Sequence, residues 1–366
     1  MTANKQGIAL WTRVWLCRNL EGCRFVNDDS AQGVDKTPFS VTAKTTESAV
    51  KTRRVVYKKI DAVIQELALQ RRIKLKGLTG ISVCKLIEYY ERGLLSSYMK
   101  IHQNDKFRGL ITGAGSSVIA LVNEKHHLIL QDLRQGFKPE RAWQEVNALD
   151  DLFSSKLKFA WDKNFGYLGP DAECSGTGLR MTVALHLPAL AHLGELSPVS
   201  EAFGAMNMMM EAELSDDMLV AGFGQVLRIS NSMTGLESEE AILHKVKIAV
   251  TDLIFQESQA RLRIVNNPVV KRALLNKIAC SLAILKNAFL VSRADLSEFI
   301  SWVRLGVMMG LIKGLTVVQL DKLHRELWSS NFLYRFKGNA AEALEHVSCT
   351  RANVLRERLS HVKVSF

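Results

Sequence analysis

The sequence predicts a mixed α+β domain followed by a helical one, with the boundary near residue 256. The middle of the chain carries short alternating runs separated by glycine-rich turns, which is the pattern of an antiparallel meander. Between them lies a segment with apolar residues at helical spacing. Past residue 256 the alternation stops, and four helical segments follow one another.

In chain order, Ala49–Leu69 is amphipathic and reads as a helix. The wider stretch from Thr37 to Lys76 holds Lys51, Arg53, Arg54, Lys58, Lys59, Arg71, Arg72, Lys74 and Lys76. It reads either as a basic binding patch or as a solvated helix face, and the amphipathic pattern favours the face. RRIKLKG, ending at Gly77, is a short strand candidate. LITGAGSSVIALVN, residues 110–123, is a hairpin around a Gly-Ala-Gly-Ser turn, and HHLILQDL supplies the next strand. Trp143, Val146, Leu149, Leu152 and Phe153 then mark a helix, with Pro139 in a first turn that tolerates it. A loop, FGYLGPDAECSGTGLR, leads into an alternating strand from Thr182 to Leu187. Met206–Met210 reads as a core element of adaptable side chains in preference to an exposed soft surface. MLVAGFGQVLRIS is a further strand candidate. In the last third, Asn267 is an N-cap with Pro268 behind it, and Ser292 with Asp295 has capping-box spacing.

The 366 residues, 47% of them hydrophobic, suffice for one large or two ordinary cores. A net charge of +11 suits an acidic or phosphate-bearing partner without specifying nucleic acid. Cys17, Cys23, Cys84, Cys174, Cys280 and Cys349 form no CxxC pair, and no histidine cluster has zinc-ligand spacing, so no metal site is expected. Scattered thiols read as the reduced cysteines of a cytoplasmic protein. No secretory leader pattern opens the chain, and no apolar run approaches the roughly 18 residues of a membrane span.

RVWLCRNLEGCRF, LVNEKHHLIL, FGYLGPDAECSGTGLRMTVALHLPAL and RISNSMTGLESEE occur in that order. They resemble the signature blocks of the phosphagen (ATP:guanidino) kinases. LAILKNAFLVS, WVRLGVMMGLIKGL and RANVLRERL resemble the helical domain of the bacterial McsB-type protein arginine kinases. The resemblance spans most of residues 8–366 and is weak between about 25 and 105. It implies a guanidino-kinase catalytic domain, a large antiparallel sheet flanked by helices, over residues 1–255. A C-terminal helical domain for dimerisation and phosphoarginine reading follows over 256–366. It implies ATP bound along the sheet with magnesium, phosphoryl transfer to a guanidinium, and catalysis by positioning and electrostatics. It also implies a homodimer, a zinc-binding activator protein and the Clp unfoldase as partners, and no membrane or nucleic-acid role.

The departures from that pattern fall on charged groups. Arg13 is kept, but Trp15 stands at the second arginine of the first block. In the second block Glu124 remains, Lys125 replaces a glutamate that contacts the guanidinium, and Ile129 replaces a phosphate-binding arginine. The third block keeps Gly176, Thr177, Gly178 and Arg180, with Asp171 where the family has a cysteine. In the fourth region Glu213 stands at an arginine and Ala221 at a glutamate, and the glycines of the family's mobile loop are absent. Of the family's phosphoarginine motif only Arg351 and Ala352 survive, behind Val347, Ser348, Cys349 and Thr350.

An oriented electrostatic donor is worth roughly 3 kcal/mol, and an arginine clamp ~10³-fold in rate. A lysine beside the guanidinium position repels it. The expectation is therefore a catalytically impaired pseudokinase acting as regulator or adaptor, without ATP or magnesium unless the site is live. Two other readings stand beside it: an active protein arginine kinase with a rearranged site, and another ATP- or phosphate-dependent activity on the same scaffold. Arg13 and Arg180 read equally as residual phosphate ligands and as structural arginines. Lys125 is a candidate to pair with Glu124 or Glu213. His126 and His127, taken as strand neighbours, face opposite ways and share no ligand. Cys174 reads as an ordinary thiol before a reactive one.

Overall fold

The computed structural model describes residues 7–25, 47–96, 99, 104–113, 118–170, 175–212, 224–232, 237–334 and 336–365. Residues 114–117 of the expected hairpin turn, Asp171, Cys174, Glu213 and Ala221 lie outside them. In chain order the elements are β1 (Ala9–Arg18), α1 (Glu47–Arg71), β2 (Lys74–Gly77), α2 (Val83–Glu91), β3 (Gly109–Thr112), β4 (Val118–Val122), β5 (Leu128–Gln135) and α3 (Pro139–Ser154). A small hairpin, β6 (Trp161–Asp162) and β7 (Gly166–Tyr167), precedes β8 (Leu179–His186), α4 (Pro188–Leu193), α5 (Leu196–Ala205), β9 (Met208–Ala212) and β10 (Val226–Asn231). Then follow α6 (Glu239–Asn266), α7 (Pro268–Asn287), α8 (Arg293–Met308), β11 (Ile312–Lys313), α9 (Val317–Glu326), α10 (Ser329–Leu333), α11 (Ala340–Leu359) and β12 (Lys363–Val364).

Eight strands form one antiparallel sheet in the order β2-β3-β4-β5-β1-β8-β10-β9. The central strand β1 explains how the sheet divides the molecule. Its even-numbered apolar residues, Val14 and Leu16, are fully buried with Val146 and Phe153 of α3 in the main core. Its odd-numbered residues, Trp11, Arg13, Trp15 and Cys17, sit half-buried on the opposite face. There a second apolar cluster joins α2 and the segment behind it to the sheet: Leu86, Tyr89, Tyr90, Leu94, Leu95, Leu110, Leu121 and Ile129.

The helical part is continuous with the main core through α6, α7, α8 and α11. The boundary expected near residue 256 falls inside α6, whose helix runs unbroken from Glu239 to Asn266. The caps follow the residues that specify them. Asn267 accepts from the amides of Val269 and Val270 at the start of α7, and Ser292 with Asp295 closes a capping box on α8. Buried Glu257 of α6 accepts from the amides of Ala189 and Leu190 at the start of α4 and from Arg261. No helix among the described residues is long and apolar enough to cross a membrane.

Three local expectations need correction. His126 and His127 lie in the turn before β5, not on the strand. Arg53 is no part of a solvated face: it is fully buried with Asp105 at 3.4 Å, beside buried Arg108 on the same carboxylate at 3.2 Å. Exposed Lys51, Arg54, Lys58 and Lys59 keep the solvated reading. The Met206–Met210 run is mostly the edge strand β9; Met208 alone is fully buried, and Met206 lies outside the strand, 47% exposed.

Candidate functional site

Antiparallel register sets one row of side chains across the sheet: Gln131 of β5, Trp15 of β1 and Arg180 of β8. The indole Nε1–H of Trp15 donates to the side-chain oxygen of Gln131 at 3.0 Å. The Gln131 amide donates to the carbonyls of Leu94 and Val118. One row along, Ile129 lies opposite Cys17 and is 2% exposed within the second apolar cluster. Trp15 packs against the same cluster. Where the resemblance places two phosphate-binding arginines, this chain therefore has apolar side chains packed together.

Arg13 points into the row between Leu133 and Thr182. Its guanidinium donates to the carbonyl of Gly93 and lies over both neighbouring indoles, 5.2 Å from Trp11 and 5.1 Å from Trp15. Arg180 is 41% exposed and reaches Ser230 at 3.5 Å and the carboxylate of Glu211 at 3.9 Å. Glu211 also pairs at 3.4 Å with Arg228, its direct cross-strand partner on β10. Glu211 thus stands between two arginines on the sheet face, an ion pair other than the one expected at Lys125, whose candidate partner Glu213 lies outside the described residues. Alternation of cross-strand charge in MMMEA and VLRIS was the sequence signal for it.

Glu124 is buried. Its carboxylate accepts from the Ser96 hydroxyl at 2.7 Å and from the backbone amide of Lys125, whose side chain is exposed. His126 and His127 are hydrogen-bonded within the protein. His127 Nδ1 accepts from the Leu20 amide at 3.0 Å while Nε2 lies 2.9 Å from the Arg24 carbonyl, which fixes the neutral Nε2–H form. Burial pushes its pKa down; burial, then His127 and Lys125, hold His126 down to about 4.

The glycine-threonine-glycine turn owes its shape to the strands it touches. Gly176 exchanges backbone hydrogen bonds with Tyr167, at 2.8 and 3.0 Å. Gly178 has φ +68°, and a Cβ there would sit 2.5 Å from the Cys17 carbonyl. Thr177 accepts from the Leu179 amide through its hydroxyl and from Arg18 through its carbonyl. Arg18 organises this corner and was missed in the sequence. It is 1% exposed, forked onto Asp150 at 2.9 and 2.6 Å, and stacked 3.6 Å over the ring of Tyr167. A charged residue on the core side of an apolar alternation was its signal.

Between this sheet face and the helical part runs a cleft of about 930 Å³. Trp11, Arg13 and Trp15 form its floor, with Tyr90–Ser96 on one side and Arg304, Asp321 and Trp328 on the other. Three of its cations are tied to the protein's own carboxylates: Arg134 to Asp132 at 2.6 Å, Arg304 to Asp321, Arg228 to Glu211. Arg351 is likewise engaged within the protein. It is buried, donates to the Leu327 carbonyl at 2.9 Å and Ser329 at 2.7 Å, and burial lowers its pKa to about 10 against the pull of Glu91.

Comparison with known proteins places these residues in a family. The ATP:guanido phosphotransferase C-terminal catalytic domain profile matches residues 55–260, and that of the protein-arginine kinase McsB C-terminal domain matches residues 271–365. A protein-arginine kinase of Clostridium tetani is 28% identical over 313 residues, 86% of this chain and 89% of the relative. One of Bacillus pumilus is 27% identical over 96% of this chain and 90% of the relative. Among solved structures, the duplicated taurocyamine kinase of Schistosoma mansoni with transition-state-analogue components superposes with a TM-score of 0.58 at 18% identity. That match covers 79% of this chain and spans 40% of the duplicated kinase. A lombricine kinase gives 0.52 at 18% identity, over 70% and 68% of the two chains. These structures share the antiparallel sheet fold; with the matched domains, the chain belongs to the ATP:guanido phosphotransferase family, in its McsB-type protein-arginine kinase branch.

Proposed function

We propose that this chain is a protein-arginine kinase homologue that has lost phosphoryl transfer and acts through protein contacts. One observation carries the reading. At the nucleotide-facing positions Trp15 and Ile129 are packed into an apolar cluster, and the remaining Arg180 shares Glu211 with Arg228. These residues do not fit a triphosphate. Two cations are replaced by apolar groups, and a carboxylate occupies the neighbourhood of a third. Each missing oriented donor costs roughly 3 kcal/mol of transition-state stabilisation, and Lys125 opposes the approach of a guanidinium. Glu124, the one acidic candidate left, is engaged by Ser96 and the Lys125 amide.

A regulator or adaptor in Clp-type protein quality control, with a zinc-binding activator as partner, is the finer form of this proposal. Its support is the McsB-type C-terminal region alone.

Calorimetric titration with Mg-ATP and Mg-ADP tests the reading, with Arg180→Ala in parallel and mass-spectrometric detection of phosphoarginine on a protein substrate. No saturable heat up to millimolar nucleotide and no phosphoarginine are expected. Saturable binding lost in Arg180→Ala, together with phosphoarginine, would establish the active-kinase alternative. Binding without phosphoarginine would point to a different phosphate-dependent activity.

A further inference from the structure

The cleft over β1 has an aromatic floor and a cationic rim. Seven cations and three carboxylates line it among the described residues. All three carboxylates are already engaged: Asp132 by Arg134, Asp321 by Arg304, and Glu91 by the amides of Ser329 and Ser330. Lys138, at the start of α3, and Arg325, in the last turn of α9, are exposed and make no ion pair with another described residue. Arg92, just past α2, reaches Glu88 at 3.3 Å, a carboxylate it shares with Lys85 at 2.7 Å. The floor is Trp11, Arg13 and Trp15, three side chains on one face of β1, with both indoles half-buried and the guanidinium between them.

From this we infer that the cleft binds an extended acidic peptide segment of a partner protein, with an aromatic or large aliphatic side chain of that segment seated on the indoles. The inference deepens the proposed function and rests on it: a chain that holds no nucleotide and acts through protein contacts has this cleft to make them. Charge selects an anion, because an excess of four cations over carboxylates in a concave site concentrates the field there. The placement of the charges selects a peptide over a compact anion. Arg92, Lys138 and Arg325 stand on three different elements around an apolar floor. Separate carboxylates along a chain meet them one by one, whereas a triphosphate needs its cations gathered at one point. A nucleic-acid strand fits less well. Its unbroken row of phosphates would pass Asp132 and Asp321, whose side chains are 21% and 34% exposed, whereas a peptide sets its charges away from them.

Length agrees. From Trp11 to Trp15 the strand advances ~14 Å, the reach of about four extended residues. The volume of about 930 Å³ lies at the upper end of the roughly 300–1,000 Å³ that whole small ligands occupy. Tryptophan and arginine are the side chains that most often anchor such contacts. Exposed charge pairs contribute little each, so the indole floor supplies the affinity and the rim the selectivity.

Selection of random octapeptides displayed on phage against the full-length chain is the test, followed by fluorescence anisotropy of the enriched peptides. Enriched sequences are expected to combine two or more carboxylates with an aromatic or large aliphatic residue, and added salt should weaken their binding. Lys138→Glu and Arg325→Glu, at exposed positions on different walls, should each weaken the labelled peptide at least ~10-fold while keeping the parent thermal midpoint. Lys58→Glu, on the exposed face of α1, leaves binding unchanged. No enrichment, enrichment without acidic residues, or undiminished binding by the two cleft variants overturns the proposal. Displacement of the peptide by an oligothymidylate at similar concentration also overturns it and assigns the cleft to nucleic acid. Calorimetry with Mg-ATP keeps the two readings apart. Saturable heat sinks the proposed function and this inference with it, whereas no heat together with no enriched peptide sinks this inference alone.

Discussion

His126 and His324 show at the level of single residues how burial has replaced solvent chemistry here. Burial and the nearby His127 and Lys125 hold His126 down to about 4. Burial, then Arg293, Arg304, Arg351 and Arg325, hold His324 down to about 3. Both rings are neutral in the fold, while an unfolded histidine titrates near 6.5. Between that value and the folded pKa the unfolded chain binds protons that the fold does not. Their contribution is complete above pH 6.5 and is lost as pH falls toward about 4 and about 3. Denaturant midpoints at pH 7.5 and 5.0 should therefore differ, and His126→Gln, which keeps an acceptor for Asn19, should shrink the difference by on the order of 1–2 kcal/mol. An unchanged difference would mean that His126 is not held neutral. Single residues were also the most legible level in the sequence. Trp15, Lys125 and Ile129 were read as losses directly, because a block pattern fixes which residue to inspect. Glu211, Arg228 and Asp150 were not, because their partners come from strands and helices distant in sequence.

Elements whose signals are local were readable in advance: the caps at Asn267 and Ser292, Pro139 at the start of α3, and the strand leading from the glycine turn. Strand β1 escaped, although ALWTRVWLCR alternates. Its outward row is two indoles and an arginine, so neither face reads as polar. The resemblance makes the glycine turn one block of a kinase site, whereas the hydrogen bonds it makes in the structure are with strands β1 and β7. That difference has a measurable consequence. Gly178→Ala puts a Cβ 2.5 Å from the Cys17 carbonyl at φ +68°. A left-handed backbone costs a non-glycine residue about 1–2 kcal/mol, and the backbone clash adds to that. Gly194→Ala, at φ +73° with open space around it, bears the first cost alone. Urea midpoints should place Gly178→Ala below Gly194→Ala by at least about 1 kcal/mol. Equal losses would mean that the turn yields freely and does not lock β8 to β1.

Across the whole molecule, the two predicted domains are joined by a buried carboxylate that no local pattern announces. Glu91 ends α2, 7% exposed, and accepts from the amides of Ser329 and Ser330 at 2.7 and 3.0 Å and from the Ser330 hydroxyl at 2.6 Å. A carboxylate at the amides of α10 answers that helix's unpaired donors and its dipole. Arg293 stands 3.7 Å away, and Arg351 holds Leu327 and Ser329 from the other side. The residue left over from a phosphoarginine motif thus belongs to the joint between α2 and the helical region. Removing one member of such a buried charged set is expected to cost about 3–5 kcal/mol, because cations remain without their counter-charge. Glu91→Ala should lower stability by that order, whereas Glu66→Ala, which breaks the exposed pair with Lys156, should cost less than about 1 kcal/mol. Native-state hydrogen exchange reads the location. Protection should fall first in α10 and the end of α2, while the amides of β1 and β8 keep theirs. Unaltered exchange in α10 would show that the joint is held by apolar packing alone, and the helical region would then be anchored through α6 and α7 rather than through Glu91.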